Sequence, residues 1–460
     1  MNKVGLLPLY LKLYDDTSPD AGLACAEFLE IIAKKLLEKG LEIVRCPICR
    51  ISKEFEGAVE LFKKEDVDAV ITLHLAYSPS LESSESLKSL GVPVIVLDTT
   101  VDYDFSFNQS PDRIMYNHGI HGVQDMCNLL LRNNVDYYVC AGHYMYSNVL
   151  DRVYRLAKAA AMSKKLKTCN IGIIGKPFPS MGDFGIGFDV IKDTVGPDVT
   201  EFDFNDYSRY EKMITKEEID EEFEINMSMF KIENIDETFH KKSLIPNLVV
   251  RKWVQEKNLD GFTVNFLDIK KGNGFVSMPF LEAGKQMAIG KGYAGEGDVL
   301  TAGLVASLMA GYKDVSFVEM FCPDWKNNAM FISHMGEMNV NLTTQKPLLI
   351  EKPFPYTDAE NPVCACGRFK AGKAVTVDLA PIAQGKYNLI LSKVNMIEPI
   401  DEDNFKNAVR GWFIPEKPLS RFMEDYSASG GTHHLALVYT DSYDIIEIFG
   451  KMAGFNVVCV

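Results

Sequence analysis

Apolar residues recur with two different periods along this chain, and the texture changes after about residue 340. From residue 1 to about 165, continuous apolar runs alternate with stretches spaced at three and four. KVGLLPLYL (3–11), LEIVRC (41–46), DAVITLHL (68–75), VPVIVLDT (92–99) and VDYYVCAG (135–142) are predicted strands, and DAVITLHL is nearly continuously apolar, as buried parallel strands are. AGLACAEFLEIIAKKLLEKG (21–40), FEGAVELFKKED (55–66), SLESSESLKSLG (80–91), GIHGVQDMCNLLLRNN (119–134) and YSNVLDRVYRLAKAAAMSKKL (146–166) carry the helical period between them. Strands that alternate with helices of this length predict a parallel α/β sheet with right-handed crossovers.

A second α/β unit begins at CNIGIIG (169–175), after the Lys-rich SKKLKT (163–168). VTEFDF (199–204) and DGFTVNF (260–266) read as its strands. The segments 214–232, 236–258 and 278–288 read as helices, and their acidic run as a solvated face. Beyond 340 the helical period fades. FKAGKAVTVDLAPIAQGKYNLILSKVNMIEP (369–399) alternates apolar and polar residues around Gln384-Gly385, which predicts a hairpin. The expected architecture is therefore two doubly wound parallel-sheet domains, flavodoxin- or Rossmann-like, over 1–166 and 167–340, then a β-rich, barrel-like domain over 341–460.

Composition narrows the function classes. With 460 residues the chain is too long for one core. A net charge of −15 argues against a nucleic-acid binder, which needs cations to displace phosphate counterions. No apolar run reaches the roughly 18–20 residues of a membrane span. The N-terminal MNKVGLLPLYLKLYDD lacks the long apolar core of a secretion signal and reads as a first strand, so a cytoplasmic protein is expected. Ten scattered cysteines are expected to be free thiols.

Candidate chemistry concentrates between Glu296 and His334. Glu296 stands in G-E-G-D before the helical VLTAGLVASLMAG, Glu319 ends the apolar run KDVSFVE, and His334 ends AMFISH. Each has an ordinary alternative: a carboxylate favoured by a helix N-terminus, a salt bridge, a hydrogen-bonded core histidine. Later, S-G-G-T-H-H supplies His433 and His434, and on an extended chain only one of the two faces a given site. Two Glu and two His without thiolate suit a divalent metal with open positions: Mn²⁺, with Co²⁺, Fe²⁺ or Zn²⁺ as alternatives. Paired carboxylates beside a metal-held diol could pass a proton between adjacent carbons. Cys46–Cys49 and Cys364–Cys366 form a zinc site only if both pairs meet, and neither has ribbon spacing. The Gly-rich GKPFPSMGDFGIG (175–187) matches no phosphate-loop or dinucleotide fingerprint; it is a substrate loop, with Asp183 as the candidate contact, or a plain connection.

Several of these segments resemble one family. GYAGEGDVLTAGL (292–304) resembles the first metal-Glu segment of the L-arabinose isomerase and L-fucose isomerase superfamily. SFVEM resembles the segment with its second acidic ligand, SHMGE its metal-His segment S-H-M-L-E, and GGTHH its G-G-A-H-H. HGIHGVQDM (118–126) looks like the helix whose His reaches a neighbouring subunit's site, and CAGHY (140–144) like T-G-H-W. The resemblance implies a Mn²⁺-dependent aldose–ketose isomerase that works through a cis-enediol. Glu296 and Glu319 would be ligands and the acid/base pair, and His334 and His434 would complete the metal sphere. His121 would reach the site of an adjacent protomer in a homo-trimer or homo-hexamer. The family's M-E-D-Y-T-Y is V-E-M-F-C-P here, so Met320 to Trp325 is where substrate preference is expected to differ, with Met320 and Trp325 as candidate substrate contacts. The expected substrate is an unphosphorylated pentose or 6-deoxyhexose. The alternatives are a non-catalytic sugar-binding or sensing protein and another metal-dependent sugar lyase such as an aldolase.

Overall fold

The computed structural model describes residues 2–398 and 403–460. Its contacts divide the chain into two compact units, Met1–Lys164 and Lys165–Val460, and the division falls inside one helix, Val149–Thr168.

The first unit holds five strands: β1 (Lys3–Leu9), β2 (Glu42–Arg45), β3 (Ala69–His74), β4 (Val94–Asp98) and β5 (Tyr137–Ala141). They pair in parallel in the order β2-β1-β3-β4-β5, which is the flavodoxin-like doubly wound order. Helices cover both faces of such a sheet, so the central strands carry no polar face. All six residues of β3 are buried, His74 among them.

The second unit opens with a smaller parallel sheet: β6 (Asn170–Ile174), β7 (Asp198–Glu201), β9 (Gly261–Val264) and β10 (Gly292–Gly295), in the order β10-β9-β6-β7. Between β7 and β9 lies the short β8 (Lys231–Ile232). The acidic stretch over 214–232 forms the helix Lys216–Met229, started by a Thr215/Glu218 capping box, and 236–258 forms Glu237–Glu256. The acidic face is not uniformly solvated. Glu222 is buried and, with Glu282, grips Arg251.

The C-terminal strands are β11 (Val315–Asp324), β12 (Ala329–Ser333), β13 (Leu348–Glu351), β14 (Val363–Cys366), β15 (Gly372–Ile382), β16 (Lys386–Ile397), β17 (Gly411–Pro415), β18 (His434–Val438) and β19 (Asn456–Cys459). The pairing β15-β18-β11-β12-β17-β16 returns to β15, so six strands close a barrel, and β19 adds in parallel to the free part of the β16 edge. Closure removes the open edges that would invite aggregation. Val318, Ile332, Phe369, Phe413, Leu435 and Leu437 fill its interior. The expected hairpin forms as β15 and β16 around Gln384 and Gly385, both in the left-handed region; residue 399, the last of the stretch, lies outside the described residues.

One expectation is corrected. Of Glu319 and His334, both assigned to the central α/β layer, Glu319 stands on the barrel strand β11 and His334 directly follows the barrel strand β12. β11 pairs with β18 and β12, and both β11 and β12 precede residue 340. An apolar strand of this length reads alike whether its neighbours are parallel or antiparallel, so periodicity alone cannot place it. Among the described residues no helix is long and apolar enough to cross a membrane.

Candidate metal centre

The site forms where the C-terminal end of β10 meets one face of the barrel strands β11, β12 and β18. β10 ends in the turn Glu296-Gly297, and the helix Val299–Gly311 follows. Glu296 has a φ of +62°, a left-handed conformation costly for a residue with a Cβ. The turn is pinned on both sides. Thr263 Oγ1 accepts from the Gly297 amide at 3.0 Å and donates to the Gly295 carbonyl at 3.1 Å. Gly297 cannot be anything larger, because a Cβ there would lie 2.7 Å from Pro177 Cα. This over-determined turn aims the buried Glu296 carboxylate at the barrel.

Strand register supplies the rest. Glu319 lies directly opposite His434 on β18 and opposite Ser333 on β12, so Glu319 and His434 share a face. β12 stops at Ser333, which frees His334 to turn onto that face. His334 Nε2 lies 3.8 Å from Glu319 Oε2, and His434 Nε2 lies 3.7 Å from Glu296 Oε2. Two sets, Glu319–His334–His434 and Glu296–His433–His434, each place their ligand atoms within 4.8 Å of one another. Phe317, on the same face as Glu319, packs its ring against both His334 and His434.

These separations are too long for hydrogen bonds and fit donors arranged around a common ion: ligands about 2.1 Å from one centre stand about 3.0–4.2 Å apart. His434 is fully buried, and its Nε2 has no hydrogen-bond partner. Its Nδ1 is held 3.0 Å from Asp298 Oδ2, and His334 Nδ1 is held 2.7 Å from Glu337 Oε2. Asp298 and Glu337 are themselves buried and anchored, Asp298 by the Thr301 amide and Glu337 by the Tyr293 hydroxyl. A carboxylate only accepts, so each Nδ1 carries a proton and each ring turns its Nε2 inward, where it would offer a lone pair to a bound cation as in carboxylate–histidine–metal triads. The donor set therefore fits a divalent cation.

Burial would raise the Glu296 carboxyl, but the His433 hydrogen bond and the charges of His434 and His334 hold it below its usual range. Burial pushes Glu319 up. It would lower His334, yet the Glu337 carboxylate raises it. His433, which burial would also lower, is raised to about 10 by Asp183 and Glu296, and Asp183 is drawn down to about 2 by His433 despite its own burial.

The sequence-predicted residues do not all converge. Glu296, Glu319, His334 and His434 do, and His433 joins them. Its ring lies 4.2 Å from that of His434 and its Nε2 3.5 Å from Glu296. The expectation that only one histidine faces the site fails because His433 precedes β18, on the Gly430-Gly431-Thr432 loop, where strand alternation does not apply. Asp183 arrives through the Gly-rich loop and holds His433 Nδ1 at 2.5 Å, while Phe184 stacks on His434. Met320, one residue past Glu319, packs instead with the barrel core on the opposite face. Trp325 is not brought to the cluster either; it sits in the β11–β12 turn, 62% exposed, about 20 Å along the strand from Glu319. His121 is exposed on the helix Ile120–Arg132 of the first unit, its ring 6.0 Å from that of His118. Asp298 and Glu337 went unassigned in the sequence, although G-E-G-D and the His-x-x-Glu spacing at 334 and 337 were visible. All ten cysteines are free thiols.

The comparisons agree with this geometry. The L-arabinose isomerase C-terminal domain model matches residues 314–456, and the L-arabinose isomerase central domain model matches 191–311. An L-arabinose isomerase of Shouchella clausii is 25% identical over 94% of this chain and 89% of its own length; L-arabinose isomerase 1 of Bacillus licheniformis is 24% identical over 89% and 85%. A third relative, an L-arabinose isomerase of Geobacillus kaustophilus, is 23% identical over 87% of this chain and 82% of its own length. Two models of one family matching adjacent stretches, with relatives aligned along most of the chain, show that the chain belongs to the L-arabinose isomerase superfamily of aldose–ketose sugar isomerases.

Proposed function

We propose that this chain is a divalent-metal-dependent isomerase of an unphosphorylated pentose or 6-deoxyhexose, with Glu296, Glu319, His334 and His434 holding Mn²⁺. The observation that carries the reading is the buried, unpartnered Nε2 of His434, set among carboxylates with its Nδ1 fixed by Asp298. The cation, when bound, supplies Lewis-acid polarisation of the sugar oxygens. Glu296 and Glu319 serve as the acid/base pair: one carboxylate takes the proton from C2 of the aldose and returns it to C1, and the other moves the hydroxyl proton from O2 to O1 by way of a cis-enediol. His433, braced by Asp183, orients a sugar hydroxyl beside Glu296. A site ringed by Glu296, Glu319, Asp183, Asp298 and Glu337 disfavours a phosphorylated substrate. The relatives' names point to L-arabinose or a close analogue as the first sugar to try.

The test is an aldose panel scored for ketose before and after chelation. The chelated protein is expected to lose turnover and to regain it with Mn²⁺. Full turnover in metal-free protein would overturn the proposal. We further propose a homo-trimer or homo-hexamer in which His121 serves a neighbouring protomer's site, in the cytoplasm, where its ten free thiols stay reduced. Light scattering on the purified chain checks the assembly, and a monomer that turns over sugar at the full rate excludes the shared site.

A further inference from the structure

A second cleft lies on the opposite side of the chemistry in charge. It has a volume of about 300 Å³ and is walled by β8, the segment before β13, the end of β14 and the segment that leads into β17. Five cations reach it: Lys231, Lys346, Arg368, Lys406 and Arg410. Among the described residues two carboxylates do, Glu233 and Asp403. Among the described lining residues the surplus is three positive charges, in a chain whose net charge is −15.

The backbone builds the cleft. Arg368 and Arg410 face each other across an isolated bridge, with the Arg410 amide donating to the Gly367 carbonyl at 3.0 Å and the Phe369 amide to the Arg410 carbonyl at 2.9 Å. The two guanidinium stems therefore leave adjacent chains side by side. One carboxylate serves both, unequally. Asp403 Oδ2 takes Nε and Nη2 of Arg410, each at 2.6 Å, and stands 3.7 Å from Arg368 Nη1, beyond hydrogen-bond range. Arg368 Nε is buried with no acceptor. Lys231 is occupied by Glu233 at 2.6 Å, and Lys346 by the Ser228 carbonyl at 2.6 Å. A guanidinium that is always charged and keeps a buried donor without an acceptor is suited to an oxyanion.

We propose that this cleft binds a phosphate-class anion, either a phosphate monoester or inorganic phosphate, through the open Nε–H and Nη–H fork of Arg368. Paired donors in a planar fork match two oxygens of one phosphate, and the surplus charge compensates a dianion. The volume is at the small end of ligand sites, enough for a phosphate with a short organic group. The metal cluster, ringed by carboxylates, is the wrong place for that anion, so the two sites sort ligands by charge.

Calorimetry on the full chain tests the site with three titrants at matched ionic strength: potassium chloride, inorganic phosphate and glycerol phosphate. Binding of one or both phosphates is expected, with none for chloride. Arg368→Gln is expected to weaken phosphate at least tenfold. Lys406→Gln, at an exposed position that tolerates change, is expected to weaken it two- to fivefold and covers the case in which the first variant fails to fold. Glycerol phosphate that binds tenfold tighter than inorganic phosphate assigns the monoester class; equal affinity assigns inorganic phosphate. Chloride that matches phosphate, or folded variants that bind phosphate as the wild type does, overturns the site.

Discussion

His74 and His434 are both buried histidines at strand ends, and both have ring nitrogens without partners. Their surroundings differ. His434 has one nitrogen fixed by the buried Asp298 and the other aimed at Glu296 across 3.7 Å. His74 has neither nitrogen bonded. Its ring is capped by the backbone of the helix that begins near Gly119: a Cβ on Gly119 would sit 2.5 Å from its carbonyl oxygen, and one on Gly122 2.4 Å from its Cδ2. Burial drives His74 down to about 3, so it stays neutral as a packing group. What separates a candidate ligand from a core histidine is therefore an anchoring carboxylate on one side and converging donors on the other.

The largest difference is expected when each histidine is removed in turn. His434→Ala is expected to lower kcat/KM for ketose formation by about a thousandfold or more, as is Glu296→Gln, on the scale typical of lost acid/base groups. His74→Leu should leave the turnover of folded protein within about twofold. Equal losses at the two positions would end the distinction. The anchor comes next. Asp298→Asn keeps an N-cap for the helix Val299–Gly311 but weakens the acceptor of His434 Nδ1. Mn²⁺ affinity by titration calorimetry should fall about 10- to 100-fold with little change in Tm.

His74 also carries a pH signature of its own. The folded pKa of His74 lies below its unfolded value of 6.5, so the unfolded chain binds the proton more readily. The stability that neutral His74 preserves is whole above pH 6.5 and is lost as the pH falls towards 3. Between pH 6.5 and 5 the loss is about 2 kcal/mol. Urea unfolding of His74→Leu should show that increment missing, and an unchanged pH slope would refute the assignment. The smallest effect is expected at Trp325→Ala. The side chain is exposed in a turn, so stability should change by no more than about 0.5 kcal/mol and Mn²⁺ affinity not at all.

Much of this was legible in residue patterns. The five strands of the first sheet, the helices between them and the Gln384-Gly385 hairpin follow from period and turn chemistry, which act over a few residues. Glu296, Glu319, His334 and His434 were legible through four short segments. The roles of Asp298 and Glu337 were not, because a carboxylate two or three residues from a ligand reads as a cap or a solvated charge until its partner is seen. Met320 and Trp325 lie away from the cluster because proximity to Glu319 in sequence is not proximity to its face: alternate residues of a strand point oppositely and each residue adds about 3.3 Å.

By itself the sequence determined which residues could be strand or helix, that acidic and imidazole ligands were available without thiolates, and the family. Only the tertiary structure decided that β11 and β12 close a barrel with β18, which sets Glu319 opposite His434. It also decided that the Gly-rich loop delivers Asp183 to His433, and that Arg368 shares one carboxylate with Arg410. The reason is physical. Periodicity records whether a side chain is buried, whereas register, closure and charge pairing join residues more than a hundred positions apart, and no local pattern encodes which distant donor a buried group will meet.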